Sequence, residues 1–159
     1  MALKNRPLGR LDGNTNFAQR KFVIDSGVVI NDGDFVYFNG TGEITNATVG
    51  AARIVGMATE TATGNAGSTV TANVIIDPTM EYLIDNDNDG TTFAAAHVGD
   101  NFDLIGAAGA QLVDTSSTGT SGSLVCTGYN PQIDPVATDT SWGTFVIAEN
   151  WFFTGTGGQ

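Results

Sequence analysis

"TVTANVII", residues 69–76, decides how the rest of the chain is read. Val70, Ala72, Val74 and Ile76 fall on one side of an extended backbone, and Thr69, Thr71 and Asn73 fall on the other. A period of two sends successive side chains to opposite faces of a strand, and β-branched residues suit that pleated surface. The stretch therefore reads as a half-buried β-strand. After Asp77-Pro78, "MEYLI" (80–84) continues the pattern.

Outward from this strand, short apolar runs alternate with turn residues. Upstream lie "KFVI" (21–24), "GVVI" (27–30), the Asp32-Gly33 turn, "FVYF" (35–38), the "NGTG" turn (39–42), "EITNAT" (43–48), "RIVGMATE" (53–60) and the "TGNAGS" loop (63–68). Downstream come "NFDLI" (101–105), "QLV" (111–113), "SLVCT" (123–127), the proline-bearing "GYNPQIDP" (128–135) and "GTFVIAENWFF" (143–153). Only a few windows, such as Phe93–Val98, could make even a short helix. Turn signals every eight to twelve residues point to an all-β fold, a single β-barrel or β-sandwich. A chain of 159 residues is enough for one domain with its own core. We place that domain at 22–153, after an extended basic arm at 1–21 and before a flexible tail at 154–159.

The arm is set apart by charge. Five of the six basic residues, Lys4, Arg6, Arg10, Arg20 and Lys21, lie in the first 21 positions and only Asp12 opposes them, so the segment is net +4. From Phe22 onward one arginine, Arg53, meets sixteen acids, for a net charge of −15. Such a body repels nucleic acid and anionic membranes, whose binding rests on neutralising phosphates. Segregation this complete marks an interaction tail, and the five cations are candidate docking residues for an acidic neighbour. No run approaches the ~18 apolar residues of a membrane span, and "MALKNRPLGR" lacks the apolar stretch of a signal peptide.

The candidate chemistry is sparse. "DNDNDG" (85–90) places Asp85, Asp87, Asp89 and Gly90 as an EF-hand calcium loop would, but position 12 of that loop is Ala96 instead of a bidentate glutamate. "MEYLI" is also a strand where the motif needs a helix. Asn, Asp and Gly favour turns in their own right, so the stretch reads as a polar turn with no metal. Ser121 lacks the G-x-S-x-G spacing, His97 is the sole histidine, and Cys126 in "SLVCT" reads as a small buried hydrophobe. Asp32/Asp34 and Asp100/Asp103 are carboxylate pairs that acid-rich chains contain by chance. No cofactor motif is present, and the chain reads as a non-enzyme. Trp151, Phe152 and Phe153 are apolar on both faces of a strand, which makes them either a two-sided core strand or an oligomer interface. Exposed Trp142 or Trp151 would instead suit stacking on sugar.

"GVVINDGDFVYFNGTGEITNATVGAARIVGMATET" (27–61) and "VGDNFDLIGAAGAQLVDTSSTGTSG" (98–122) follow a basic arm and belong to an acidic Gly/Thr/Ala-rich body. In this the chain resembles the decoration (cement, or head auxiliary) proteins of tailed bacteriophages. The resemblance implies a virion structural protein, made in the bacterial host cytoplasm, that binds the outer capsid surface. It also implies a homotrimer clamping neighbouring major capsid protein subunits, with no nucleic-acid or membrane partner. The alternative is a receptor- or glycan-binding module of a head fibre or adhesin.

Overall fold

A computed structural model describes residues 5–14, 16–48, 53–67, 69–87, 89, 91–119, 122–129 and 142–148, with the backbone alone at 117–119. Its strands, in chain order, begin with β1 (Arg6–Arg10), β2 (Gln19–Val23), β3 (Val29–Ile30), β4 (Phe35–Phe38), β5 (Ile44–Asn46), β6 (Gly56–Ala58) and β7 (Ala62–Thr63). They continue with β8 (Thr71–Ile75), β9 (Met80–Asp85), β10 (Asn101–Ile105), β11 (Leu112–Gly119), β12 (Leu124–Tyr129) and β13 (Trp142–Ile147). The one helical element described is a 3-10 turn at Ala95–His97, inside the expected window. The fold is all-β.

A five-stranded sheet runs β2-β8-β6-β4-β5, every neighbour antiparallel. Its outer strands meet again: Ile24 bridges Ile44 in parallel, and the Asp25 N–H donates to the Ile44 carbonyl at 3.0 Å. The sheet thus curls on itself around Ile24, Val36, Ile44, Ala58, Ala72 and Val74. Val70 and Ile76 pack against the same cluster, so the face assigned from the 69–76 alternation is the interior face. The opposite face carries Phe35, Ala47, Met57 and Ile75 into a second core. Both faces of β6 are therefore covered, and there is no room for a side chain at its first residue. A Cβ on Gly56 would lie 1.8 Å from the Ile75 carbonyl oxygen.

The six-stranded sheet runs β1-β9-β13-β12-β10-β11. It also curls, because Asn86 bridges Val113 in parallel and the Asp87 N–H donates to the Val113 carbonyl at 3.0 Å. Its inner face supplies Tyr82, Ile84, Phe102, Leu104, Leu124 and Phe145 to the core shared with the other sheet. Phe93, Phe102 and Phe145 meet edge to face at 5.3–5.8 Å, the geometry that sets a ring's positive edge on a negative face. Phe35 and Tyr82 make the same contact at 5.1 Å across the seam between the sheets. Barrel-like curling and sandwich packing, which turn spacing alone could not separate, occur together here.

The N-terminal segment differs from expectation. Over residues 6–21 it is no free arm: β1 pairs with β9 and β2 with β8, and the loop between them follows the 76–79 loop through Leu11 N–H to Thr79 O (3.0 Å) and Ile76 N–H to Ala18 O (2.9 Å). This ribbon lies along β8 and β9 from end to end and belongs to both sheets, so the boundary expected at residue 22 is absent from the hydrogen bonding. The physical reason is its position. Each of its strands has its main partner on one side, and their first three residues are exposed, so neither carries an alternating apolar pattern. Lys4 and the tail at 154–159 lie outside the described residues.

Candidate docking ribbon

The ribbon begins with an irregular strand. Pro7 sits opposite Tyr82 and Gly9 opposite Glu81, leaving Leu8 as an extra, bulged residue. Gly9 has φ +147°, a conformation that residues with a Cβ rarely adopt. Proline offers no N–H and a bulge breaks the ladder's repeat, two devices that discourage a further strand from pairing with an exposed edge.

The cations divide into two groups. Arg10 is engaged within its own chain: its guanidinium forks onto Asp12 at 2.9 and 3.1 Å, Nη1 lies 3.0 Å from Asp77 Oδ2, and Nη1 donates to the Asn16 carbonyl at 3.1 Å. Asp77 is 5 % exposed. Burial raises its pKa, but hydrogen bonds from the Thr79 hydroxyl and N–H, the Arg10 charge and the Ala18 N–H outweigh that and hold it below the ordinary value. Arg10 is thus a fastener, which corrects its assignment as a docking residue. Arg6, Arg20 and Lys21 are exposed and form no ion pair among the described residues. Arg20 sits 6.0 Å over the Phe22 ring, which in turn meets Phe38 edge to face at 5.3 Å.

Sequence reading missed the apolar half of this surface. Of the five large hydrophobic side chains exposed among the described residues, three, Leu8 (40 %), Leu11 (58 %) and Phe17 (37 %), are on the ribbon. They were hidden because the segment was read for charge alone.

The other candidates resolve into structure. Asp85 ends β9, and Asp87 and Asp89 each accept from the Thr115 hydroxyl, at 2.8 and 3.0 Å. The Thr91 N–H donates to Asp89 at 2.8 Å and is the main reason its carboxyl titrates below the usual value. Asn88 and Gly90 of "DNDNDG" lie outside the described residues, and no group of three or more His, Cys, Asp or Glu that could hold a metal ion occurs among the described residues. Cys126 is 1 % exposed, its thiol pushed up to about 11 by burial, as suits a core residue. Asp34 is also buried and used: its oxygens accept from Gly109 N–H (2.7 Å), Asn31 N–H (2.8 Å) and Asn31 Nδ2 (3.2 Å). His97 Nδ1 accepts the Ala94 N–H at 3.1 Å. Trp142 is 6 % exposed and offers no stacking face. Ser121, Trp151, Phe152 and Phe153 lie outside the described residues.

A cavity of about 390 Å³ lies between the Asn31–Asp34 turn and residues 109–112, with Asn5 and Asp85 at its wall. Gln111, at its back, replaces a missing strand: Oε1 accepts the Phe35 N–H at 2.5 Å, while Nε2 donates to the Phe35 and Ala47 carbonyls at 2.9 and 2.8 Å. No signal in the sequence marks this residue, because the glutamine that opens "QLV" reads only as the start of a strand.

No family model matches the chain, and no curated protein matches it. No helix among the described residues is long and apolar enough to cross a membrane.

Proposed function

We propose that this protein is a structural component of a tailed-phage virion that binds the outside of the capsid and clamps neighbouring major capsid subunits, without catalysing a reaction. The observation that carries the reading is the ribbon's three uncompensated cations, Arg6, Arg20 and Lys21, fixed at the margin of a body that is otherwise strongly acidic. Because both flanking strands are already hydrogen-bonded into sheets, docking needs little further ordering of backbone, and more of the contact energy is available for binding. Three copies around one axis would present three ribbons to the shell, and a lattice of such contacts gains avidity from modest individual affinity. The acidic remainder faces solvent and keeps neighbouring copies from aggregating. The alternative, a receptor- or glycan-binding module, has no exposed indole to rest on among the described residues.

The test is co-sedimentation with expanded capsids of the cognate phage, comparing the native protein with the triple variant R6E/R20E/K21E. The native chain should pellet with capsids and the variant should remain in the supernatant, with matching circular dichroism. Failure of the native chain to bind would refute the capsid role. Undiminished binding by the variant would refute the ribbon as its docking surface.

A further inference from the structure

We infer that the ribbon's partner is an acidic protein surface with an apolar recess, gripped by side chains and not by adding a strand to β1; this rests on the docking reading above. Along the chain the exposed charged and large apolar ribbon side chains run Arg6, Leu8, Leu11, Asp12, Phe17, Arg20 and Lys21, with exposed Asn14, Asn16 and Gln19 among them, so three apolar anchors stand between cations at both ends. Stable interfaces share that anatomy: an apolar middle that excludes water inside a polar margin.

The fold draws the two ends of the loop together. Arg10 Nη1 reaches the Asn16 carbonyl at 3.1 Å, closing the loop between them. Leu11 and Phe17 each lie one residue from that contact, and adjacent Cα atoms are about 3.8 Å apart, so the two come to the same end of the ribbon. Leu8 projects from the bulge two residues before Arg10. Arg10 thus presents the apolar group while its own charge is neutralised by Asp12 and Asp77.

Strand addition is the competing mode, and β1 is poorly made for it. Pro7 lacks a donor and the Leu8 bulge shifts the register, so an incoming strand would find its hydrogen-bond row interrupted.

The experiment measures capsid binding by the full-length protein and by two variants, R6E/R20E/K21E and L8S/L11S/F17S, at low and high salt, with Leu11→Ser alone as a milder probe. The side-chain mode predicts that the apolar variant binds about tenfold more weakly or worse, and that its residual binding is lost in high salt. Full binding by the apolar variant, with loss only on charge reversal, would overturn the apolar recess and leave the docking reading intact. Full binding by both variants would overturn the inference and the ribbon's role together. Sedimentation of the protein alone closes the last route: an oligomer that dissociates in the apolar variant would assign the patch to a second copy and overturn the inference.

Discussion

Arg10 Nη1 lies 3.0 Å from Asp77 Oδ2, and this pair fastens the β1–β2 loop to the β8–β9 loop where the two sheets meet. The side chains are 24 % and 6 % exposed, so the bond is mostly withdrawn from water. It sets Arg10, which holds the ribbon in place, apart from Arg6, Arg20 and Lys21, which form no ion pair among the described residues.

Removing the Arg10 guanidinium should therefore reduce stability. Arg10→Met leaves Asp77 without its counter-ion, though still bonded to Thr79. The loss should be about 2 kcal/mol, below the usual figure for a wholly buried pair because Arg10 is partly solvated. Urea unfolding measures it, and Asp77→Asn in the same background should recover part of the loss. A difference below about 0.5 kcal/mol, the range of ordinary surface substitutions, would show that the pair contributes little.

Acid sensitivity follows from the same carboxylate. Asp77 has a folded pKa below its ordinary 3.8, so its contribution is fully present well above that value and is lost as pH falls through the folded pKa. Asp89 has the same sign. Stability should be flat near neutral pH on their account and decline below about pH 4, with a shallower acid limb in Asp77→Asn. Equal slopes in the two proteins would remove Asp77 from the explanation.

Tyr82 offers an opposite case. Its ring is fully buried against Phe35, yet its hydroxyl has no hydrogen-bond partner among the described residues, and burial pushes its pKa upward. A buried donor without a partner carries an uncompensated desolvation cost. Tyr82→Phe should be neutral or stabilising by up to about 1 kcal/mol, measured by urea or thermal unfolding. A loss of about 1 kcal/mol or more would mean the hydroxyl is bonded in solution.

Gln111 should behave in the contrary way. Its side chain completes the hydrogen bonding of Phe35 and of the Ala47 carbonyl. Gln111→Met preserves bulk and strands two buried backbone groups, the Phe35 N–H and the Ala47 carbonyl, while the Phe35 carbonyl keeps the Ala47 N–H at 2.8 Å; the cost should be about 2 kcal/mol or more in the same assay. A near-neutral result would show that the neighbouring loop supplies replacement partners.

These contrasts indicate what the chain discloses by pattern alone. The interior strand at 69–76 was legible because half-burial imposes alternation, and Ala72 and Val74 do line the core. "NGTG" was legible as a turn because Asn39 caps its own loop, accepting from Thr41 and Glu43 N–H groups at 3.0 Å. The ribbon was not, because a strand at a sheet margin needs no apolar face to be held by its backbone. Charge segregation was real in sequence but its mechanical meaning was not, since one residue, Arg10, turns inward. Deleting residues 1–20 is therefore a poor test of docking: it would strip β1 from one sheet and part of β2 from the other.

Cryo-electron microscopy of tailed-phage particles purified from cells that make this chain tests the proposed capsid role most directly. The account predicts all-β density on the outer shell, with residues 6–21 against an acidic surface of the capsid subunits and the rest of the body toward solvent. Absence of the chain from the particles, or its presence with residues 6–21 turned outward, would contradict it.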